Sequence, residues 1–471
     1  MAHSRSWQGC AAACFVAAHH HRTYPRSAFV NPLQRLAATL VLAATFVVAR
    51  DALGGEAHAA EAPPVAAPTA PESAEGPEEL DDPTDRTEWA GFPLVGGSTD
   101  IGVQLGAAGT VTHLGDRFKP YWWNVDAVVS ISVKGGPRGT EIVQQSHAMR
   151  WDLPGGGAGK VRLMPAVFYD RTVNSGYFGL GNASRVVTDP SGGIADRYQF
   201  RHEEAATRLN VRTPLGGPFS TMYGWQLRYV NPHAYPESRL AIDAATRDSD
   251  GHPLIRGLQP LGIATLNGGA IYDTRSDEIY PKHGAFHLAA LRLSGATPTS
   301  SGVYWAGINV YLRWYEQIPA GFVFAGRVIV DAMAGHVPFY DLSQGGAFDP
   351  NDIPGGAQGV RGVPNGRYSG LLKVVGNAEL RRMHVGFRLL GSKFQFGTTT
   401  FVDAGRVWND YSFADPRDGK SIGIKYGVGG GPFLLWGTAA LFRIDVAYSP
   451  DASAANPGFP VGIYVQEGMM F

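Results

Sequence analysis

From Trp89 to Phe471 the chain alternates apolar and polar residues over runs of ten to fifteen positions. Successive side chains of a strand point to opposite faces, so runs of this kind demand strands with one apolar face. In 303–316 the even positions are Tyr304, Ala306, Ile308, Val310, Leu312 and Trp314, while the odd ones include Asn309 and Arg313. Tyr304 and Trp314 stand ten positions apart, about 33 Å along a strand and roughly 25 Å of height at a tilt of about 40°. That is the thickness of a bilayer core with an aromatic at each interface. Soluble sandwiches also alternate, but their strands average about five or six residues.

Other segments repeat the pattern. Trp123, Val125, Ala127, Val129, Ile131 and Val133 oppose Asn124, Asp126, Ser130, Ser132 and Lys134. Phe219, Thr221, Tyr223, Trp225, Leu227 and Tyr229 oppose Ser220, Gln226 and Arg228. Leu372, Val374, Ala378 and Leu380 oppose Lys373, Asn377, Glu379 and Arg381. Composition agrees: glycine supplies 61 of 471 residues, aromatics 11% and charged residues only 17%. No apolar run long enough for a membrane helix lies beyond the N-terminal region. Such a chain is β-rich with a face that meets lipid. The formal net charge of −1 gives no case for a nucleic-acid partner.

Residues 1–60 read as an export signal with an N-terminal extension. Arg22, Arg26 and Arg35 supply positive charge, 36–49 is apolar, and Ala57-His58-Ala59 offers a small-x-small cleavage site near Ala59. The signal reads equally well from Val30, so the start codon is left open. Cys10 and Cys14 are the only cysteines, and with His19, His20 and His21 they fall in this leader. The exported chain is therefore expected to have no disulfide, thiolate catalysis, metal site or cofactor. Residues 61–88 hold Pro63, Pro64, Pro68, Pro71, Pro77 and Pro83 among many acidic residues. A segment so poor in apolar surface is expected to be a disordered periplasmic tether.

Counting strands from 89 onward gives fifteen clear segments, ending with 438–449 and 459–471. A further short strand, Trp89–Val95, turning at Gly96-Gly97-Ser98, makes the number sixteen, and bacterial barrels need an even number. The connections 215–219, 317–320 and 435–437 are short and fall on one side, while 174–197, 235–261 and 336–369 are long and fall on the other. The expectation is an all-β fold: a 16-stranded antiparallel transmembrane β-barrel over 89–471.

Three sequence features narrow this further: Gly359-Val360-Arg361-Gly362 in a long Gly/Pro-rich connection, Phe401-Val402-Asp403-Ala404-Gly405 on a later strand, and a final strand ending at Phe471. Together they resemble the bacterial surface antigen superfamily of outer-membrane assembly factors, which includes barrel insertases and two-partner secretion transporters. The resemblance covers 89–471. It implies that the sixth extracellular loop, here 336–369, folds inward and sets Arg361 against Asp403 on the thirteenth strand. An arginine fork and a carboxylate would pair bidentately and lock the loop, with Val360, Gly362 and Gly405 completing the motif. One departure is plain: the family usually has Phe or Tyr where this chain has Val363, which removes an aromatic from the packing. Phe471, Met469 and Val465, on one face with Ile463 and Val461, are similar to the terminal signal read by the barrel assembly machinery. Tyr177-Phe178-Gly179-Leu180-Gly181-Asn182 looks like a segment recurring in compact members.

Other motifs carry no chemistry. Gly427-Val428-Gly429-Gly430-Gly431 lacks the Lys-Ser/Thr of a phosphate loop and lies in a strand reading. His202-Glu203-Glu204 has no second histidine at metal spacing, and no Gly-x-Ser-x-Gly elbow occurs. No enzyme constellation is expected. Arg313, Arg327, Asp331, Arg443 and Asp445 are expected to form an interior charge network. The resemblance implies insertion of proteins into the outer membrane or their translocation across it, through a seam between a short first strand and the last. Expected partners are outer-membrane lipid, periplasmic chaperones and the assembly machinery during biogenesis, and a protein client or periplasmic partner. Family transporters carry periplasmic polypeptide-transport-associated (POTRA) domains, and 61–88 is too short for even one. The alternative is accordingly a passive pore or a structural surface barrel.

Overall fold

The computed structural model describes residues 85–471, except 99–101, 116–119, 137–138, 156–158, 188–196, 249–250, 390–391, 438–439 and 455–459. The leader and nearly all of the tether lie outside the described residues. The strands, in chain order, are β1 (Arg86–Ser98), β2 (Gly102–Leu114), β3 (Trp123–Gly136), β4 (Gly139–Asp152), β5 (Arg162–Gly176), β6 (Gln199–Gly216) and β7 (Phe219–Val230). They continue with β8 (His233–Ala234), β9 (Leu261–Asp273), β10 (Gly284–Thr297), β11 (Tyr304–Ile318) and β12 (Phe322–His336). After the two-residue pieces β13 (Gln344–Gly345) and β14 (Asn351–Asp352) come β15 (Leu372–Leu389), β16 (Ser392–Trp408), β17 (Lys425–Trp436), β18 (Ala440–Tyr448) and β19 (Val461–Glu467). The described helices are α1 (Arg239–Ala245) and short 3-10 turns, none of them long and apolar enough to cross a membrane.

One sheet of 17 strands, counting the two-residue β8, contains everything but the β13–β14 ladder. The long strands pair antiparallel in chain order, β7 passing to β9 and β12 to β15. All of them therefore start and finish at two ends of the sheet, and the start of β1 shares its end with the finish of β19. Among the described residues no ladder joins β1 to β19.

The faces are inverted relative to a water-soluble sheet. On β10, Leu291 and Leu293 are 58% and 63% exposed, whereas Arg292 between them is 7% exposed. The same holds on β7, with Tyr223, Leu227 and Tyr229 outside and Ser220, Gln226 and Arg228 buried. A large contiguous apolar surface is stable only where it meets something other than water. The buried face packs against the segment 337–371 between β12 and β15. Ile353, Val360, Val363 and Tyr368 of that segment cluster with Tyr311, Ile329, Val375 and Val407 of β11, β12, β15 and β16.

Three expectations need correction. The first strand is not the short Trp89–Val95: β1 runs 13 residues and pairs with β2 over its whole length. It also takes in Arg86–Glu88, at the end of the expected tether. The short edge is β19, with 7 residues. Finally, Phe471 does not share a face with Val465 and Ile463. Those two are 61% exposed, but Gly468 adopts φ 79°, a left-handed conformation open to glycine. The strand stops there and the tail turns inward, leaving Phe471 6% exposed.

Candidate functional site

Arg361 is fully buried in the segment between β12 and β15. Its Nε and backbone N–H donate to Asp403 Oδ2 of β16 at 2.8 and 3.1 Å, and Nη2 donates to Asp403 Oδ1 at 3.0 Å. Nη1 lies 2.7 Å from Glu379 Oε1 of β15 and donates to Asp445 Oδ2 of β18 at 3.0 Å. One guanidinium thus joins carboxylates from three strands, which the planar five-donor fork permits and an ammonium does not. Burial alone would pull this guanidinium down; Glu379, Asp403 and Asp445 more than offset it and hold it charged, well above its ordinary value.

The charges balance around it. Arg381 reaches Glu379 at 2.7 Å, and Arg443 stands 3.5 Å from Asp445 and 3.8 Å from Glu379. Three arginines therefore face three carboxylates, all at 1% exposure or less. Buried ions survive only when paired and hydrogen-bonded in this way. Asn377 completes the set: its Nδ2 donates to Asp403 Oδ1 and to the Gly359 carbonyl, both at 2.8 Å.

Close approach of the segment to the strands depends on two glycines. An ideal Cβ on Gly405 would lie 2.9 Å from Val360 Cγ2 and 3.2 Å from Pro354 Cβ, and one on Gly427 of β17 would run into the Arg361 carbonyl. Phe401 of β16 lies under the Arg361 guanidinium, 3.3 Å from Cζ to the ring centre. Val363, which stands where the family usually has an aromatic, is fully buried in the cluster with Ile353, Val360 and Tyr368. The aromatic face thus comes from a strand.

The segment also holds the last strand. Gly362 N–H donates to the Tyr464 hydroxyl at 2.8 Å, and Gln358 Nε2 donates to Gln466 Oε1 at 3.1 Å. Gln466 Oε1 takes a second bond from Arg443 Nη2 at 2.7 Å. Phe471 closes the row: its carbonyl accepts from Arg381 at 2.8 Å, and its ring lies under Arg327 and Arg381. Met469 packs against the Phe433 and Leu441 cluster, while Val465 points away.

A second set of anchors holds the earlier half of the segment to other strands. Asp341 accepts from Arg228 of β7 at 2.9 Å, Asp349 from Arg208 of β6 at 2.9 Å, and the Gly346 carbonyl from Arg292 of β10 at 2.6 Å. Arg292 also binds Asp331 at 2.7 Å. Of the charges expected to pair with one another, Arg443 and Asp445 do, while Asp331 pairs instead with Arg292 and Lys373. Arg313 lies over the Phe286 and Tyr311 rings, and Arg327 donates to Asn377 and to the Gln358 and Met470 carbonyls.

The Tyr177–Asn182 segment ties other connections together. Tyr177 donates to Asp243 of α1 at 2.9 Å, Gly181 N–H to the Ser369 carbonyl at 2.8 Å, and Asn182 Nδ2 to the Gly423 carbonyl at 2.8 Å. His202 and Glu204 share a face 3.3 Å apart.

Residues 195–463, over half of the chain, match the Omp85 superfamily domain. No curated protein matches the sequence. Among solved structures, the chain is similar to BamA from Haemophilus ducreyi lacking POTRA domains 1-3, at 14% identity, covering 82% of this chain and 69% of that one, TM-score 0.44. It is also similar to CdiB from Escherichia coli, at 12% identity, covering 81% of this chain and 62% of that one, TM-score 0.49. The chain thus spans less than two thirds of that CdiB chain.

Proposed function

The chain belongs to the Omp85 superfamily, and on that footing we propose that it is a closed outer-membrane β-barrel that inserts proteins into that membrane or moves them across it. With the two-residue β8 set aside, the 17 strands of the sheet become sixteen, an even number as a single-chain barrel requires. In that count β16, with Asp403, is the thirteenth. The lipid faces the exposed apolar side chains, and segment 337–371 is the sixth extracellular loop, folded into the lumen. The end carrying the start of β1 and the finish of β19 is periplasmic. Gly437, in the β17–β18 turn, lies beside Glu88 of β1, with an ideal Cβ 2.8 Å from the carboxylate oxygen. That proximity of the first strand to the β17–β18 turn supports closure.

The observation that carries the reading is Arg361, which ties an inserted segment to Asp403, Glu379 and Asp445 while its neighbours Gly362 and Gln358 bond β19. Plug and seam are then one unit. The seam lies between a 13-residue β1 and a 7-residue β19, so β1 offers more backbone than β19 can pair. Unpaired edge groups template an incoming strand. The length mismatch thus serves the seam from the opposite side to the one expected from sequence. The reading assigns the chain no catalytic step; a client strand exchanges hydrogen bonds with the edge.

Planar-bilayer conductance of the purified protein tests this. A nearly closed wild type and brief, partial openings in Arg361→Ala are expected for a plugged, gated barrel. A steadily open wild type indifferent to the substitution would point to the passive pore.

A further inference from the structure

We infer that the connection Thr274–His283, between β9 and β10, is a strap closing the periplasmic mouth as a barrier separate from the Arg361 latch; the inference rests on the barrel reading above. The connection touches strands on both sides of the mouth. On one side, Arg162 Nη1 of β5 donates to both carboxylate oxygens of Glu278, at 2.9 and 2.8 Å. On the other, Tyr280 packs with Val323 of β12, Phe433 of β17 and Leu441 of β18, its ring centre 5.6 Å from that of Phe433.

The distances decide what this means. On a flat sheet β17 lies five strand spacings from β10, roughly 24 Å away. From Gly284, where β10 starts, the chain to Tyr280 reaches at most about 14 Å, and the tyrosine side chain adds about half of that. With the ring centres 5.6 Å apart, even a fully extended connection would barely reach on a flat sheet, so the contact fits a sheet that curls and a connection that runs across the opening. Walls three strands away on one side and five or six on the other are bridged by Glu278 and Tyr280.

The strap is a built element. Asp277 Oδ1 accepts from the backbone N–H groups of Ile279 and Tyr280 at 2.8 and 2.6 Å, an Asx turn that aims Tyr280 inward. Ser276 Oγ accepts from the Lys282 N–H at 2.9 Å and binds the two limbs together. Arg275 fixes the base, donating to both oxygens of Asp273 at 2.9 Å. Tyr280 is 7% exposed and Pro281 is buried, while Lys282 and His283 are exposed. Met469 of the inward-turned tail packs against the same cluster, so strap and tail form one floor.

Two barriers in series predict synergy. The purified full chain is compared in planar bilayers as wild type, Arg361→Ala, Tyr280→Ala and the double variant, each first checked for heat-modifiable migration. Conductance of the double variant is expected to exceed the sum of the single variants, and trypsin is expected to cut after Lys282 in Tyr280→Ala but not in wild type. Glu278→Gln, which keeps the side-chain length, is expected to give the same synergy at smaller amplitude should Tyr280→Ala fail to fold. With migration intact, a double variant no more conductive than Arg361→Ala overturns the strap alone. A wild type lacking heat-modifiable migration overturns the barrel reading and the strap with it.

Discussion

At the scale of single residues, the Arg361 cluster is a case where charge number sets the outcome of a substitution. Removing Asp403 leaves three arginines against two carboxylates in a site without water access. Breaking a buried pair in this way costs about 3–5 kcal/mol. Asp403→Ala is expected to lower the unfolding free energy of the heat-modifiable form, read from urea titration, by that amount, and Asp403→Asn by less. Arg361→Lys keeps the charge but cannot reach Asp403, Glu379 and Asp445 together. It is expected to fold with normal yield yet expose 353–366 to protease; unchanged protease access would count against the latch. The Arg361 and Asp403 pairing could be anticipated, because the Gly-flanked arginine and the strand aspartate form a motif. Alternation also put Glu379, Arg381, Arg443 and Asp445 on the polar face. Their convergence on one arginine was not legible, since it depends on the register of β15, β16 and β18 relative to an inserted segment. Phe401 and Tyr464 were missed for the same reason: a single aromatic in an apolar strand carries no mark of the cation or amide it will meet.

At the scale of elements, Gly427 shows how a strand makes room. Glycines in a strand usually weaken it. Gly427 instead lies where the Arg361 carbonyl meets β17. Gly427→Val is expected to leave the β16–β17 ladder intact and displace the inserted segment, read as new protease cuts in 353–366 at normal barrel yield. The tail argues similarly. If Phe471 acted only before folding, Phe471→Ala would reduce assembly yield and leave the assembled fraction as stable as wild type. Its burial with Tyr315, Ala325 and Met470 predicts an added loss of about 3–5 kcal/mol in the assembled protein. Strand positions were legible because period two persists over long runs. The extent of β1 and β19 was not, because Arg86–Glu88 is polar and Gly468 ends a strand through backbone conformation, not hydropathy.

For the whole molecule, the inserted segment is held at two places. Arg228 with Asp341, Arg208 with Asp349 and Arg292 with the Gly346 carbonyl fix its first half independently of Arg361. Arg361→Ala is therefore expected to free 353–366 and leave 337–352 protected. Adding Arg208→Ala, Arg228→Ala and Arg292→Ala should extend protease access to the earlier half, and access confined to 353–366 in that variant would refute two-point attachment. Arg228 and Asp341 are buried and Asp349 is exposed, so raising salt should weaken only the Arg208–Asp349 pair and not mimic the substitutions. The inward turn at Gly468 has a further consequence. On the reading of Phe471 as the address by which assembly factors recognise an incoming chain, folding withdraws that address from view. A finished barrel no longer presents its terminal aromatic, so the label works once per molecule. Mature copies, however abundant, do not compete with newcomers for the machinery that installed them.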